Sequence, residues 1–315
     1  MKLSEKQIKI LDIVLGVIGL IIAVVTIVTK CSSDDIRNEN EPEVEYISIN
    51  HLLTNDMCDL ECTKKLDNYI NKFLQRWEIK GGSLAVMRDG KLIYAKGYGW
   101  ADEECKVEMN SGHIFRIASL SKLVTAAAIM KMAEDSLLTL ESKVFGEGGI
   151  LDEEQFSKIR DKRTKTITVE NLLRHQGGFA TYRGDPLFIT REIMIWEKLD
   201  SVPTMDQVIQ FTISQRLGFT PGTSTKYSNA GYLILSKIIE KLSGMSYQEY
   251  CQKYILFPAG CYDMHLAKNL YEDKYPNEVR YYEPHDAEPI LAYNNSGDTL
   301  YRRYGGNNIE GLYGA

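Results

Sequence analysis

Apolar residues between positions 60 and 77 recur at helical spacing: Leu66, Tyr69, Ile70, Phe73, Leu74 and Trp77. This predicts an amphipathic helix. The pattern then shortens to two β-prone runs, 83–87 and 92–96, on either side of Arg88-Asp89-Gly90-Lys91. Asp-Gly between such runs predicts a hairpin, because the favoured two-residue turn needs positive φ at both central positions. Residues 115–132, FRIASLSKLVTAAAIMKM, have almost no polar side; Ala126, Ala127 and Ala128 are consecutive. A helix hydrophobic nearly all round is expected inside the protein, its small residues letting neighbours approach. Further on, Pro221-Gly222 marks a turn. From Ala230 a helix follows, with Ile234, Leu235, Ile238 and Leu242 on one stripe and Gly244 as its stop. Another helix is predicted over 247–255.

A different pattern opens the chain. An uncharged run over residues 13–29 follows Lys2, Lys6 and Lys9 and precedes Lys30-Cys31-Ser32-Ser33-Asp34-Asp35. At helical rise the run covers roughly 25 Å, somewhat short of the ~30 Å hydrocarbon core but longer than the apolar part of most signal peptides. Two fates fit: an uncleaved membrane anchor, or a lipoprotein signal with Cys31 as the lipidated residue. CSSDD suits the second, whereas Lys30 stands where a lipidation site normally has a small residue. In both cases the preceding lysines favour export of the bulk of the protein to the envelope side of a membrane, in the periplasm or as an outer-membrane lipoprotein. Residues 31–55 are polar and acidic and read as a tether. Residues 56–315 remain as one domain, long enough for a sizeable core.

Charge and cysteine content narrow the partners. Lys and Arg number 37 against 43 Asp and Glu, a formal charge of −6, and no basic cluster interrupts the chain. Nucleic acid is therefore not expected as a partner. Of six cysteines, Cys58 and Cys62 share a helix face without further ligands to complete a zinc set. Ordinary packing is expected for the cysteines, with a Cys251–Cys261 disulfide as the open alternative.

Candidate chemistry lies at the start of the apolar helix. Ser119 and Lys122 form the one S-x-x-K in the chain, and residues three apart on a helix share a face. A serine hydroxyl is a weak nucleophile until a base takes its proton, and a lysine serves where burial or positive neighbours favour the free amine. N–H groups at the helix start could stabilise an oxyanion. The plain alternative is a capping serine followed by a solvated lysine.

FRIASLSK resembles the nucleophile motif of the serine β-lactamase and penicillin-binding-protein superfamily. It is closest to the class C-like branch that also holds D-alanyl-D-alanine carboxypeptidases and esterases. Residues 219–232, FTPGTSTKYSNAGY, resemble the second motif of that family, Y-x-N. Y-x-N alone is weak, since Tyr69, Tyr275 and Tyr293 also begin such triplets; the PGT-x-x-x-YSNAGY setting carries the likeness. ITVENLLRHQGGF, at 167–179, resembles a further family stretch. There His175-Gln176-Gly177 mimics the third motif but precedes the tyrosine. His175 is therefore assigned a structural place at a helix end closed by Gly177-Gly178, with local hydrogen bonds, and Asp185 is assigned no chemistry.

The resemblance implies an α/β fold with a helical lobe, of the β-lactamase/DD-peptidase-like type. It implies Ser119 as the acylated nucleophile, Lys122 as its activator, Tyr227 as general acid/base and Asn229 as the substrate-amide contact. No metal or organic cofactor is implied. The substrate would be a small D-Ala-D-Ala-type peptide, a β-lactam or an ester, with peptidoglycan as a potential partner. The likeness covers roughly residues 60–315, and no histidine or lysine followed by any residue and glycine occurs after Tyr227. The expectation is a truncated form of a longer enzyme, without the C-terminal strands of the sheet. The alternative function is a non-catalytic penicillin- or peptidoglycan-binding envelope lipoprotein, or an inactive truncated form.

Overall fold

The computed structural model describes residues 53–179, 182, 184–200, 203–268 and 271–282. The apolar run 13–29, Cys31 and nearly all of the tether lie outside the described residues, as does the chain after 282. Among the described residues no helix is long and apolar enough to cross a membrane.

Helix α1 (Lys64–Arg76) realises the first helical pattern, entered through a 3-10 turn at Glu61–Thr63. Its apolar stripe is not buried, however: Tyr69 and Trp77 are 69% and 60% exposed. Strands β1 (Gly81–Arg88) and β2 (Lys91–Asp102) pair antiparallel, with Arg88 opposite Lys91 and Gly81 opposite Gly99. Asp89 and Gly90 take φ of 51° and 72°, the left-handed pair that the tight hairpin turn requires. A two-residue strand, β3 (Val107–Glu108), joins the other side of β2 and gives the sheet order β1-β2-β3. At Gly97 the chain after β3 passes so close that a Cβ would lie 2.5 Å from the Met109 oxygen and the Asn110 nitrogen.

Helix α2 (Ser121–Glu134) is the helix of the apolar pattern. Its inner side carries Lys122, Thr125, Ala128, Ile129 and Met132, all buried. The expectation of burial all round fails: Leu123 is 76% exposed and Met130 50%. Ser119 also lies one step outside the α-helix, in a 3-10 turn at Ala118–Leu120 that leads into it. Helices α3 (Val169–Leu173), α4 (Thr190–Trp196), α5 (Met205–Ile213), α6 (Asn229–Ser243) and α7 (Tyr247–Cys251) complete the helical lobe. α7 continues as a π turn, Gln252–Leu256.

Most of the core belongs to this lobe. Ile129 and Met132 of α2 join Phe145, Leu151, Phe156 and Ile167, with Leu172 of α3, Ile209 of α5 and Ile234 and Ile238 of α6. α6 is buried along almost its whole length and ends at Gly244 in the left-handed conformation, φ 67°, as expected for a glycine stop. The five described cysteines are free, so Cys251 and Cys261 form no bridge.

The segment before Ser119 is tied down from the far end of the described chain. Ile114 N–H donates to Asn277 O at 2.9 Å, Val279 N–H to Ile114 O at 3.2 Å and Arg280 N–H to Ala101 O at 2.8 Å. Arg116 N–H donates to the Tyr281 hydroxyl at 2.6 Å, and its guanidinium lies 4.3 Å from the centre of that ring. Glu278, buried, stands 3.7 Å from the same guanidinium. This strap joins the hairpin region to the turn that carries Ser119.

Candidate active site

Three elements meet at Ser119. The turn before α2 supplies the serine, the first turn of α2 supplies Lys122, and the loop entering α6 supplies Tyr227 and Asn229. The last loop is held by backbone bonds to the α3 exit: Gly222 N–H donates to Gln176 O and Lys226 N–H to His175 O, at 3.0 and 2.9 Å. Ser228 caps α6 by accepting from Gly231 N–H at 3.1 Å. Ala118, next to the serine, has φ 46°, a left-handed conformation that costs a residue with a Cβ on the order of 1 kcal/mol or more.

The four residues marked in the sequence converge. The Tyr227 hydroxyl donates to Ser119 Oγ at 2.6 Å, and Lys122 Nζ donates to the same oxygen at 3.2 Å. Lys122 Nζ also donates to Asn229 Oδ1 at 2.7 Å and lies 4.9 Å from the centre of the Tyr227 ring. Ser119 and Tyr227 face solvent, while Lys122 and Asn229 are buried. A substrate could therefore reach the hydroxyl pair with the ammonium lying beneath them. Burial pushes the Tyr227 phenol up, but its hydrogen bonds with Lys122 and Ser119 and the Lys122 charge outweigh this, so it ionises more readily than an ordinary tyrosine. The arrangement offers a hydroxyl nucleophile, an acidified phenol in direct contact with it and a buried cation beside both, which is the equipment of nucleophilic acyl transfer.

Two neighbours were not assigned to the site from sequence. Asp185 Oδ2 accepts from Asn229 Nδ2 at 3.0 Å. His175 makes no merely local contact: its Nδ1 accepts from Ser228 N–H at 3.2 Å, 53 residues away. Its ring lies between Tyr227 and Tyr232, at centroid distances of 4.6 and 5.1 Å. Burial, then the nearby Lys122 charge, holds the imidazole below the ordinary histidine range. Nothing local in sequence marks Asp185, and the one signal at His175 was its place in the LLRHQGG stretch. Among the described residues no cluster of three or more His, Cys, Asp or Glu side chains could hold a metal ion.

The fold and this site define a serine-hydrolase-like protein of the β-lactamase and penicillin-binding type. A family model described as Beta-lactamase matches residues 66–312, and the chain belongs to that family. It is 28% identical over 247 residues to Protein flp of Staphylococcus aureus (strain COL), covering 78% of this chain and 43% of that protein. The chain thus spans less than half the length of this curated relative. Among solved structures, the octameric penicillin-binding protein homologue from Pyrococcus abyssi is 30% identical with a TM-score of 0.55, over 71% of this chain and 48% of that one. The D-amino acid amidase of Ochrobactrum anthropi SV3 shares the fold at 23% identity and a TM-score of 0.57, over 80% of this chain and 66% of its own.

Proposed function

We propose that the chain carries the acylation site of a serine hydrolase that works through an acyl-enzyme. The carrying observation is the position of Ser119 Oγ, in hydrogen-bond contact with Tyr227 and Lys122 together. With Tyr227 as phenolate, the Ser119 proton passes to the phenol oxygen as Oγ bonds to the acyl carbon. When the tetrahedral intermediate collapses, the bond from acyl carbon to leaving nitrogen or oxygen breaks, and Tyr227 returns the proton to that atom. Water then attacks the ester by the same route, and Oγ regains its proton. Lys122 activates the pair by favouring the anionic forms, and Asn229, with one N–H beyond its bond to Asp185, contacts the substrate amide.

The substrate class is a D-Ala-D-Ala-type peptide, a β-lactam or a simple ester, in keeping with penicillin-binding proteins and an amidase among the similar structures. Location on the envelope face of a membrane, through residues 1–30, belongs to the same proposal. The test is intact-protein and peptide mass spectrometry after treatment with a fluorescent penicillin and with a fluorophosphonate. An adduct on Ser119 that is lost in Ser119→Ala supports the reading; adducts elsewhere or nowhere overturn it. Hydrolysis of a chromogenic cephalosporin and a nitrophenyl ester then separates a turning-over enzyme from a non-catalytic binder, which would acylate without release.

A further inference from the structure

Asp185 sits on the loop before α4, outside the four residues to which the proposed chemistry assigns a role. Its carboxylate is fixed at both oxygens: Oδ1 accepts from Leu187 N–H and Oδ2 from Asn229 Nδ2, each at 3.0 Å. Leu187, which anchors that loop, is 2% exposed. On its other side Asn229 Oδ1 accepts from Lys122 Nζ at 2.7 Å. A carboxylate offers only acceptors and an ammonium only donors, so the carboxamide between them has one orientation that satisfies both. Flipped, it would set its NH2 against the Lys122 ammonium and its oxygen against the Asp185 carboxylate.

We propose that Asp185 is a positioning residue of this site: it locks the Asn229 carboxamide with its oxygen toward Lys122 and so holds the ammonium against Ser119. Asp185 touches no reacting atom in this scheme. It acts through Asn229, along a line of contacts from Asp185 to Asn229 to Lys122 to Ser119. The inference rests on the acyl-enzyme reading for its kinetic consequence, though not for its geometry. A second effect accompanies the first. The Asp185 charge opposes the acidification of Tyr227, so removing it makes the phenol titrate lower still.

The test compares wild type with Asp185→Asn, which keeps the size and the Leu187 contact but removes the charge and admits both amide orientations, and with Asp185→Ala. Two readouts are taken. The first is the rate of Ser119 labelling by fluorophosphonate as a function of pH. The second is the side-chain carboxamide resonance pair of Asn229 in 15N-asparagine-labelled protein, assigned by its loss in Asn229→Asp. The expected result is an about ten- to hundredfold slower labelling in Asp185→Asn, with the ascending limb of the profile, which follows formation of the Tyr227 phenolate, moved to lower pH, a displaced Asn229 resonance pair and a melting temperature close to wild type. Labelling at the wild-type rate with an unmoved profile, or a rate loss that only follows the fraction unfolded, overturns the proposal. If wild type is not labelled by any probe, the acyl-enzyme reading fails by itself. The Asn229 resonances then decide whether Asp185 orients the carboxamide, since an unchanged pair in Asp185→Asn removes the claim.

Discussion

At Tyr227 burial is the largest single influence and raises the phenol, but the hydrogen bonds with Lys122 and Ser119 and the Lys122 charge together outweigh it. The buried ammonium of Lys122 lies 4.9 Å from the centre of the half-exposed ring. Removing the hydroxyl alone should therefore cost chemistry and little stability. Tyr227→Phe is expected to slow Ser119 labelling by about 10²- to 10⁴-fold, with unfolding free energy within about 0.5 kcal/mol of wild type. Stopped-flow labelling and urea melts read the two. Lys122→Met makes the opposite electrostatic change to Asp185→Asn. Without the ammonium the phenol loses most of what lowers it, so the ascending limb of the labelling profile should move to higher pH. Asn229 Oδ1 also loses the donor it has in Lys122, and a buried oxygen left unsatisfied costs on the order of 1–3 kcal/mol. The positions of Ser119, Lys122, Tyr227 and Asn229 were legible because each pair lies within a short motif whose spacing is local. Asp185 was not, because its contact with Asn229 spans 44 residues and depends on where a loop folds.

Helix α2 shows how far periodicity reaches at the scale of an element. Its sequence is apolar on nearly every side, which predicts that it forms and that one side is core, but not how many sides are covered. Ile129 is fully buried and Leu123 is 76% exposed on the same helix. Ile129→Ala is accordingly expected to destabilise by about 2–5 kcal/mol, and Leu123→Gln by no more than about 0.5 kcal/mol. Chemical denaturation of both variants checks the pair, and a large loss in Leu123→Gln would mean that this face is covered after all. The hairpin was legible for a local reason, the Asp-Gly turn. Strand β3 was not, because the turn that returns it to β2, residues 103–106, carries no Gly, Pro, Asn or Asp to signal it; the strap around Val279 was not either, because it pairs with Ile114 and Ala101, far away in sequence. The crossing at Gly97 has its own test. A Cβ there meets backbone at 2.5 Å, so Gly97→Ala must push apart β2 and the chain at Met109, at a cost of about 1–3 kcal/mol.

Over the whole molecule, the loops that carry the site are held by groups that titrate in separate ranges. Asp161 is held at about 2, chiefly by its hydrogen bonds with Arg163, and its carboxylate also accepts Leu217 N–H at 3.2 Å. Its pKa is depressed relative to the unfolded chain, so its contribution is complete above about 3.8 and disappears as pH falls toward 2. His175 acts in a higher range. It accepts a backbone N–H on Nδ1, which only the neutral ring can do, and its pKa lies below the ordinary value of 6.5. The folded state therefore binds fewer protons at this site than the unfolded chain, and stability present above pH 6.5 is lost as pH falls through the folded value. Because His175 lies against Tyr227 and bonds to Ser228, this loss should be felt where the α3 exit meets the loop before α6, well before Asp161 titrates. His175→Asn supplies an acceptor for Ser228 N–H that does not titrate. Thermal melts from pH 7.5 to 5 are expected to show a steeper fall in melting temperature for wild type than for His175→Asn, with the two curves converging in slope above pH 7. Parallel curves throughout would place the acid sensitivity of this lobe on other groups.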